Sequence, residues 1–78
     1  MYVTIINDCH DPLTMNRQVV RASTLFPNTN ISTVAVNNYG DLEAAINIID
    51  TIDAAMDEPG IILCNVAPRH GKAKKWPN

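Results

Sequence analysis

The chain opens on a short, nearly continuous apolar run, Tyr2-Val3-Thr4-Ile5-Ile6, that stops at Asn7 and Asp8. A β-branched run of that length reads as a strand buried on both faces. Cys9-His10-Asp11-Pro12 follows. Asp11 then Pro12 is a helix start, an N-cap acceptor before a proline at the first helical position. Met15, Val19, Ala22 and Phe26 recur on one helical face, with Arg17 and Arg21 on another as solvated surface charge. Pro27 and Asn28 end this helix. Residues 31–36 are β-branched and read as a second strand. Asn37-Asn38-Tyr39-Gly40 is turn chemistry. Asp41 is expected to cap a second helix, with a strong apolar stripe at Leu42, Ala45, Ile46, Ile49, Ile52 and Met56. Glu43, Asp50, Asp53 and Asp57 fall mainly off that stripe, and Glu58-Pro59-Gly60 stops the helix. Residues 60–66 read as a third strand, apolar on both faces, and residues 67–78 as a polar, basic, irregular segment.

Strands that alternate with helices of this length predict parallel pairing through right-handed crossovers. The expected fold is a three-layer α/β sandwich of order β-α-β-α-β. The first and third strands carry the most apolar sequence and are taken as the inner ones. The second then lies at an edge, giving the spatial order 2-1-3. The third strand is left with an open apolar edge, of a kind normally covered or paired. We therefore expect residues 1–78 to form a single α/β domain that is an incomplete N-terminal part of a longer chain.

That topology puts the switch point between the first and third strands, where open α/β sheets hold ligands. Asn7, Asp8, His10, Asp11, Asn65, Arg69, His70 and Lys72 converge on it. A carboxylate such as Asp8 at a strand end can accept two hydrogen bonds from a ribose diol, and the basic loop can hold a carboxylate or phosphate. Neither a GxGxxG nor a GxxxxGK[ST] motif is present, so neither the dinucleotide fingerprint nor a P-loop applies. Asp8, His10, Asp11 and His70 are an N/O ligand set for a metal, but their spacing matches no stereotyped motif. The segment 69–76 combines four bases with Trp76, as nucleic-acid binders do, yet the chain as a whole is acidic. No nucleophile–base pair stands out.

Charge sharpens this picture. The formal net charge is −2, but all eight acidic residues lie between Asp8 and Glu58. Four of the six basic residues, Arg69, Lys72, Lys74 and Lys75, lie near the end. A basic cluster after an apolar strand points to an anionic ligand or an acidic surface. Cys9 and Cys64 are too few for a disulfide scaffold and lack CxxC spacing, so both are expected to be reduced thiols. No apolar run approaches the ~20 residues that a membrane span needs. The N-terminal stretch has no basic region followed by an apolar one, and cytoplasm is the expected compartment.

Asn7-Asp8-Cys9-His10-Asp11 after a strand resembles the strand-Thr-Asp-Phe-Gly…Asp opening of the S-adenosylmethionine hydroxide adenosyltransferases, relatives of the fluorinating and chlorinating enzymes. Phe26-Pro27-Asn28 with residues 31–36, the Asp41-Leu42-Glu43-Ala44-Ala45 helix start, and residues 60–68 are similar to later segments of that family, in order and spacing. The resemblance implies the family's N-terminal α/β domain, with a small β-rich C-terminal domain to follow. It implies an adenosyl ligand, S-adenosylmethionine as substrate rather than cofactor, and a homo-oligomer, commonly a trimer. Asp8 would hold the ribose hydroxyls, with Asn7, Asp11 and Asn65 beside it. Ala67 stands where the family has an aspartate, and Lys74 falls at about the position of its arginine. The family's water-positioning histidine has its place beyond Asn78. Lys74 and His70 are then the candidate catalytic groups, and Arg69 and Lys72 candidate ligand-binding groups. The activity implied is hydrolysis of S-adenosylmethionine to adenosine and methionine. The alternatives are a non-catalytic nucleoside- or nucleotide-binding module, or an interaction domain using the basic loop 69–75.

Overall fold

Five elements follow one another in the computed structural model, which describes residues 1–9 and 11–67. They are β1 (Tyr2–Asn7), α1 (Pro12–Leu25), β2 (Asn30–Ala35), α2 (Asp41–Ala55) and β3 (Gly60–Asn65). The three strands form one parallel sheet in the order β2-β1-β3. β1 is thus central, which is why every residue from Val3 to Asn7 is buried. Its apolar run is hydrogen-bonded on both sides and covered on both faces. β3 is also an edge strand among the described residues, and Leu63, Cys64 and Asn65 are exposed along it.

The crossover from β1 to β2 runs one way across the sheet and that from β2 to β3 runs the other. Right-handed connections then place the two helices on opposite faces. On one face Val3 and Ile5 pack with Ala22 of α1, flanked by Val19, Phe26, Ile31 and Ile61. On the other Ile6 packs with Val36 and Ala44 of α2, flanked by Val34, Ile48, Ile62 and Val66. The strand alternation of β1 therefore feeds two small cores in turn. Each fully buried Val or Ile contributes about 1.5–3 kcal/mol, but two members of these cores are alanines, so the fold is held by a modest apolar interior.

α1 starts as read from sequence. Asp11 is the N-cap, its Oδ2 accepting from the Thr14 backbone N–H at 3.1 Å, and Pro12 follows. α2 differs from expectation in two ways. Its N-cap is Gly40, which makes no side-chain cap bond, and Asp41 is the first helical residue, its Oδ1 accepting from the Leu42 N–H at 2.9 Å. A Cβ at Gly40 would stand 2.7 Å from the Asn37 carbonyl oxygen, which excludes a side chain at that position. The second difference is the phase of α2 against the sheet. Ala44 is its buried residue and Ile48 packs beside it, whereas Leu42, Ile46, Ile49, Ile52 and Met56 are 55–84% exposed. The small side chain of Ala44 lets the helix lie close to the strands beside Ile48, and Ile46, Ile49 and Ile52 are turned away.

At the opposite end of the sheet Tyr2 stands in register with Gly60. A Cβ on Gly60 would come within 2.1 Å of the Tyr2 ring, so the aromatic ring occupies the space of the missing side chain.

Candidate functional site

β1 delivers Asn7 and Asp8 to the carboxyl edge of the sheet, and the loops after β2 and β3 come to the same edge. Asn7 is completely buried. Its Nδ2 donates to Gln18 Oε1 at 2.9 Å and to Met15 Sδ at 3.1 Å. Its Oδ1 accepts from the Cys9 backbone N–H at 3.0 Å and from Asn65 Nδ2 at 3.2 Å. An amide has two N–H donors and two acceptor lone pairs, and here all four are engaged. Asn7 therefore has no capacity left for a ligand in this arrangement. It joins the start of α1 to the end of β3 from below the site.

Asp8 sits one residue further on, half-buried, with its side chain on the other face. Its Oδ2 accepts from the Ala67 N–H at 3.0 Å and from the Tyr39 N–H at 3.3 Å. One carboxylate oxygen thus ties the loop after β3 to the loop after β2. Its backbone N–H donates to the Asn65 carbonyl at 3.2 Å and continues the ladder. Among the described residues Oδ1 has no hydrogen-bond partner, and Oδ2 carries both loop contacts.

Asp11 is exposed, and its Oδ2 serves both the backbone N–H and the hydroxyl of Thr14, the latter at 3.0 Å. Asn65 lies beside Asn7 in the strand register. Asn7, Asp8 and Asn65 are brought together, and Asp11 stands at the entrance to α1. Arg69, His70, Lys72, Lys74 and Lys75, together with His10, lie outside the described residues. Among the described residues no group of three or more His, Cys, Asp or Glu side chains is arranged to hold a metal ion. Cys9 and Cys64 are free thiols.

Three groups at this edge were not singled out from sequence as site residues: Met15, Gln18 and Tyr39. A readable signal existed for the first two. A helix that begins after only four intervening residues lays its first turns over the strand end. Polar or polarisable side chains facing the sheet there meet whatever closes the strand. Tyr39 has a φ of 59°, a left-handed conformation, in the loop where its N–H donates to Asp8.

Comparison with protein-family models, with curated proteins and with solved structures returns no match to this chain. No helix among the described residues is long and apolar enough to cross a membrane.

Proposed function

We propose that the edge built by Asn7, Asp8 and Asn65 binds the adenosyl group of S-adenosylmethionine, with Asp8 Oδ1 accepting from a ribose hydroxyl. The observation that carries this reading is Asp8 itself. Its carboxylate closes the central strand at the switch point, is fixed by two backbone N–H donors, and has one oxygen with no donor among the described residues. Arg69 and Lys72 are assigned to the methionine carboxylate, and His70 and Lys74 to the water. In the reaction proposed, water oxygen forms the bond to the ribose C5′ carbon and loses a proton. The C5′–S bond breaks, and its electron pair leaves on sulfur as the neutral thioether of methionine. A sulfonium is already a good leaving group, so placement of the water in line and exclusion of bulk solvent supply most of the rate. The assembly proposed is an oligomer of the chain with no bound cofactor, in the cytoplasm.

A second reading, a nucleoside-binding module without hydrolysis, is favoured by Ala67. At the position of the family's aspartate this chain offers only a backbone N–H, and that N–H is spent on Asp8. Lysine at the arginine position keeps the charge but lacks the planar fork. Incubation with S-adenosylmethionine separates the two. Adenosine released in proportion to protein supports hydrolysis. Saturable heat with adenosine and no release supports the binder. No heat and no product removes both.

A further inference from the structure

The apolar row on α2 and the open face of α1 carry an inference that is independent of the ligand. Leu42, Ala45, Ile49, Ile52 and Met56 are separated by three, four, three and four residues, the spacing of a helix-packing seam. The larger four are 63%, 68%, 55% and 84% exposed, so the seam has no partner within the described residues. Its direction follows from the helical repeat. Asp50, Thr51 and Ala54 border Ser32 and Val34 of β2. Ala44 and Ile48 face the sheet. With 3.6 residues per turn the seam then projects from the remaining flank, towards β3.

A groove opens on the other face of the sheet, also beside β3. It holds about 480 Å³ between α1 and β3, with Ile5, Ala22 and Leu63 on its floor and Arg17 and Arg21 on its wall. α1 contains those two arginines and no acid, whereas α2 contains Asp41, Glu43, Asp50 and Asp53 and no base. No carboxylate among the described residues pairs with either arginine. The acidic apolar helix and the basic apolar groove complement one another, but in one molecule the sheet stands between them. They can meet only between two copies.

We propose that this chain self-associates by laying α2 of each copy in the α1–β3 groove of the other. Both surfaces open on the same side, so a two-fold axis running along the β3 edge makes the contact twice and closes the assembly at two copies. Leu42, Ile49, Ile52 and Met56 fill the groove, and Asp53, beside that row, approaches Arg17 and Arg21. A pairing of α2 with α2 would instead bring Asp53 of each copy towards a helix that carries no base.

Sedimentation of the whole chain over a concentration series tests this. The expected result is a monomer–dimer equilibrium that weakens as salt rises. Ile49→Asp, at an exposed position, is expected to weaken association at least about tenfold with unchanged circular dichroism. The variants Arg17→Glu/Arg21→Glu and Asp53→Lys should each associate more weakly than wild type alone and form a one-to-one dimer when mixed, since both contacts of the mixed pair are complementary. Wild type that stays monomeric throughout overturns the proposal. So does association indifferent to the charge reversals, such as edge pairing of β3 or a trimer built through another surface. Failure of the mixed variants to combine overturns it as well.

Discussion

Asp8 Oδ2 and the backbone N–H of Ala67 are 59 residues apart in sequence and 3.0 Å apart in space. That bond closes the loop after β3 onto the end of β1, and the neighbouring bond to Tyr39 N–H draws in the loop after β2. Position 8 therefore carries two separable duties, a structural one through Oδ2 and the proposed ligand duty through Oδ1. Asp8→Ala removes both and Asp8→Asn keeps one acceptor. Hydrogen bonds to a charged acceptor contribute about 1.5–3 kcal/mol each, and a half-buried one sits at the low end. We expect Asp8→Ala to lower urea-unfolding stability by about 2 kcal/mol and to abolish adenosine heat in calorimetry. Asp8→Asn should recover most of the stability and little of the heat. Equal adenosine heats in wild type and both variants would remove Asp8 from the ligand role.

Asn7 gives the sharper stability prediction. Its replacement by alanine leaves Gln18, Asn65 and the Cys9 N–H without their buried partner, and each such loss costs about 1–3 kcal/mol. We expect Asn7→Ala to lose about 3 kcal/mol or more in urea titration. Asn7→Asp should do no better, because a carboxylate cannot donate to Gln18 Oε1. A near-neutral Asn7→Asp would mean that the amide orientation is the reverse of the one described.

The β-α-β-α-β order, the parallel 2-1-3 sheet and the Asp11 cap were all legible from sequence. Each rests on a local or topological rule with which the tertiary packing agrees here. The place of Asp8 at a sheet edge followed from the same rules, but its bonds to Tyr39 and Ala67 did not, since backbone donors carry no sequence signature. The role of Asn7 was hidden for a related reason. A terminal asparagine on a strand looks the same whether it faces a ligand or a helix. Periodicity does not give the orientation of α2, because it weighs the size of apolar side chains, whereas close helix–sheet packing here takes the small Ala44 with Ile48 beside it. The basic residues at 69–75 were legible as a charge cluster alone.

Gly60 lies under the ring of Tyr2, with no room for a methyl group. Gly60→Ala is expected to destabilise by about 1–3 kcal/mol, the usual range for overpacking. The mechanism is specific, so the penalty should shrink when Tyr2→Ala is introduced first. A double-mutant cycle read by thermal unfolding checks it. Additive effects of the two changes would exclude the steric explanation.

Met56 ends α2 with φ 57° and ψ −115°, and the Glu58 N–H donates to the Ala55 carbonyl at 2.9 Å. That is a tight turn whose first central residue occupies a region natural to glycine, the type II′ geometry. A side chain there costs on the order of 1–3 kcal/mol, partly offset by the greater chain entropy that glycine loses on folding. Met56→Gly is therefore expected to stabilise the chain by about 1 kcal/mol, which raises Tm by about 4–8 °C in a domain of this size. A drop in Tm at low protein concentration would contradict the turn assignment.

Ile48 and Ile49 are neighbours in sequence and opposites in environment. Ile48 packs against the cluster of Ile6, Val36 and Ala44, while Ile49 is 68% exposed. The same substitution at the two positions reads out the phase of α2 directly. An aspartate at position 48 would bring an unpaired carboxylate into an apolar core, a change worth several kcal/mol that a small domain does not survive. An aspartate at position 49 meets water and should leave monomer stability within about 0.5 kcal/mol of wild type. We expect Ile48→Asp to lose cooperative unfolding by circular dichroism and Ile49→Asp to keep it, both measured at concentrations where the chain is monomeric. The reverse ranking would restore the stripe of Leu42, Ile46, Ile49 and Ile52 to the core. It would also leave α2 with no apolar seam to offer a second copy, so this one comparison decides the helix phase on which the self-association proposal depends.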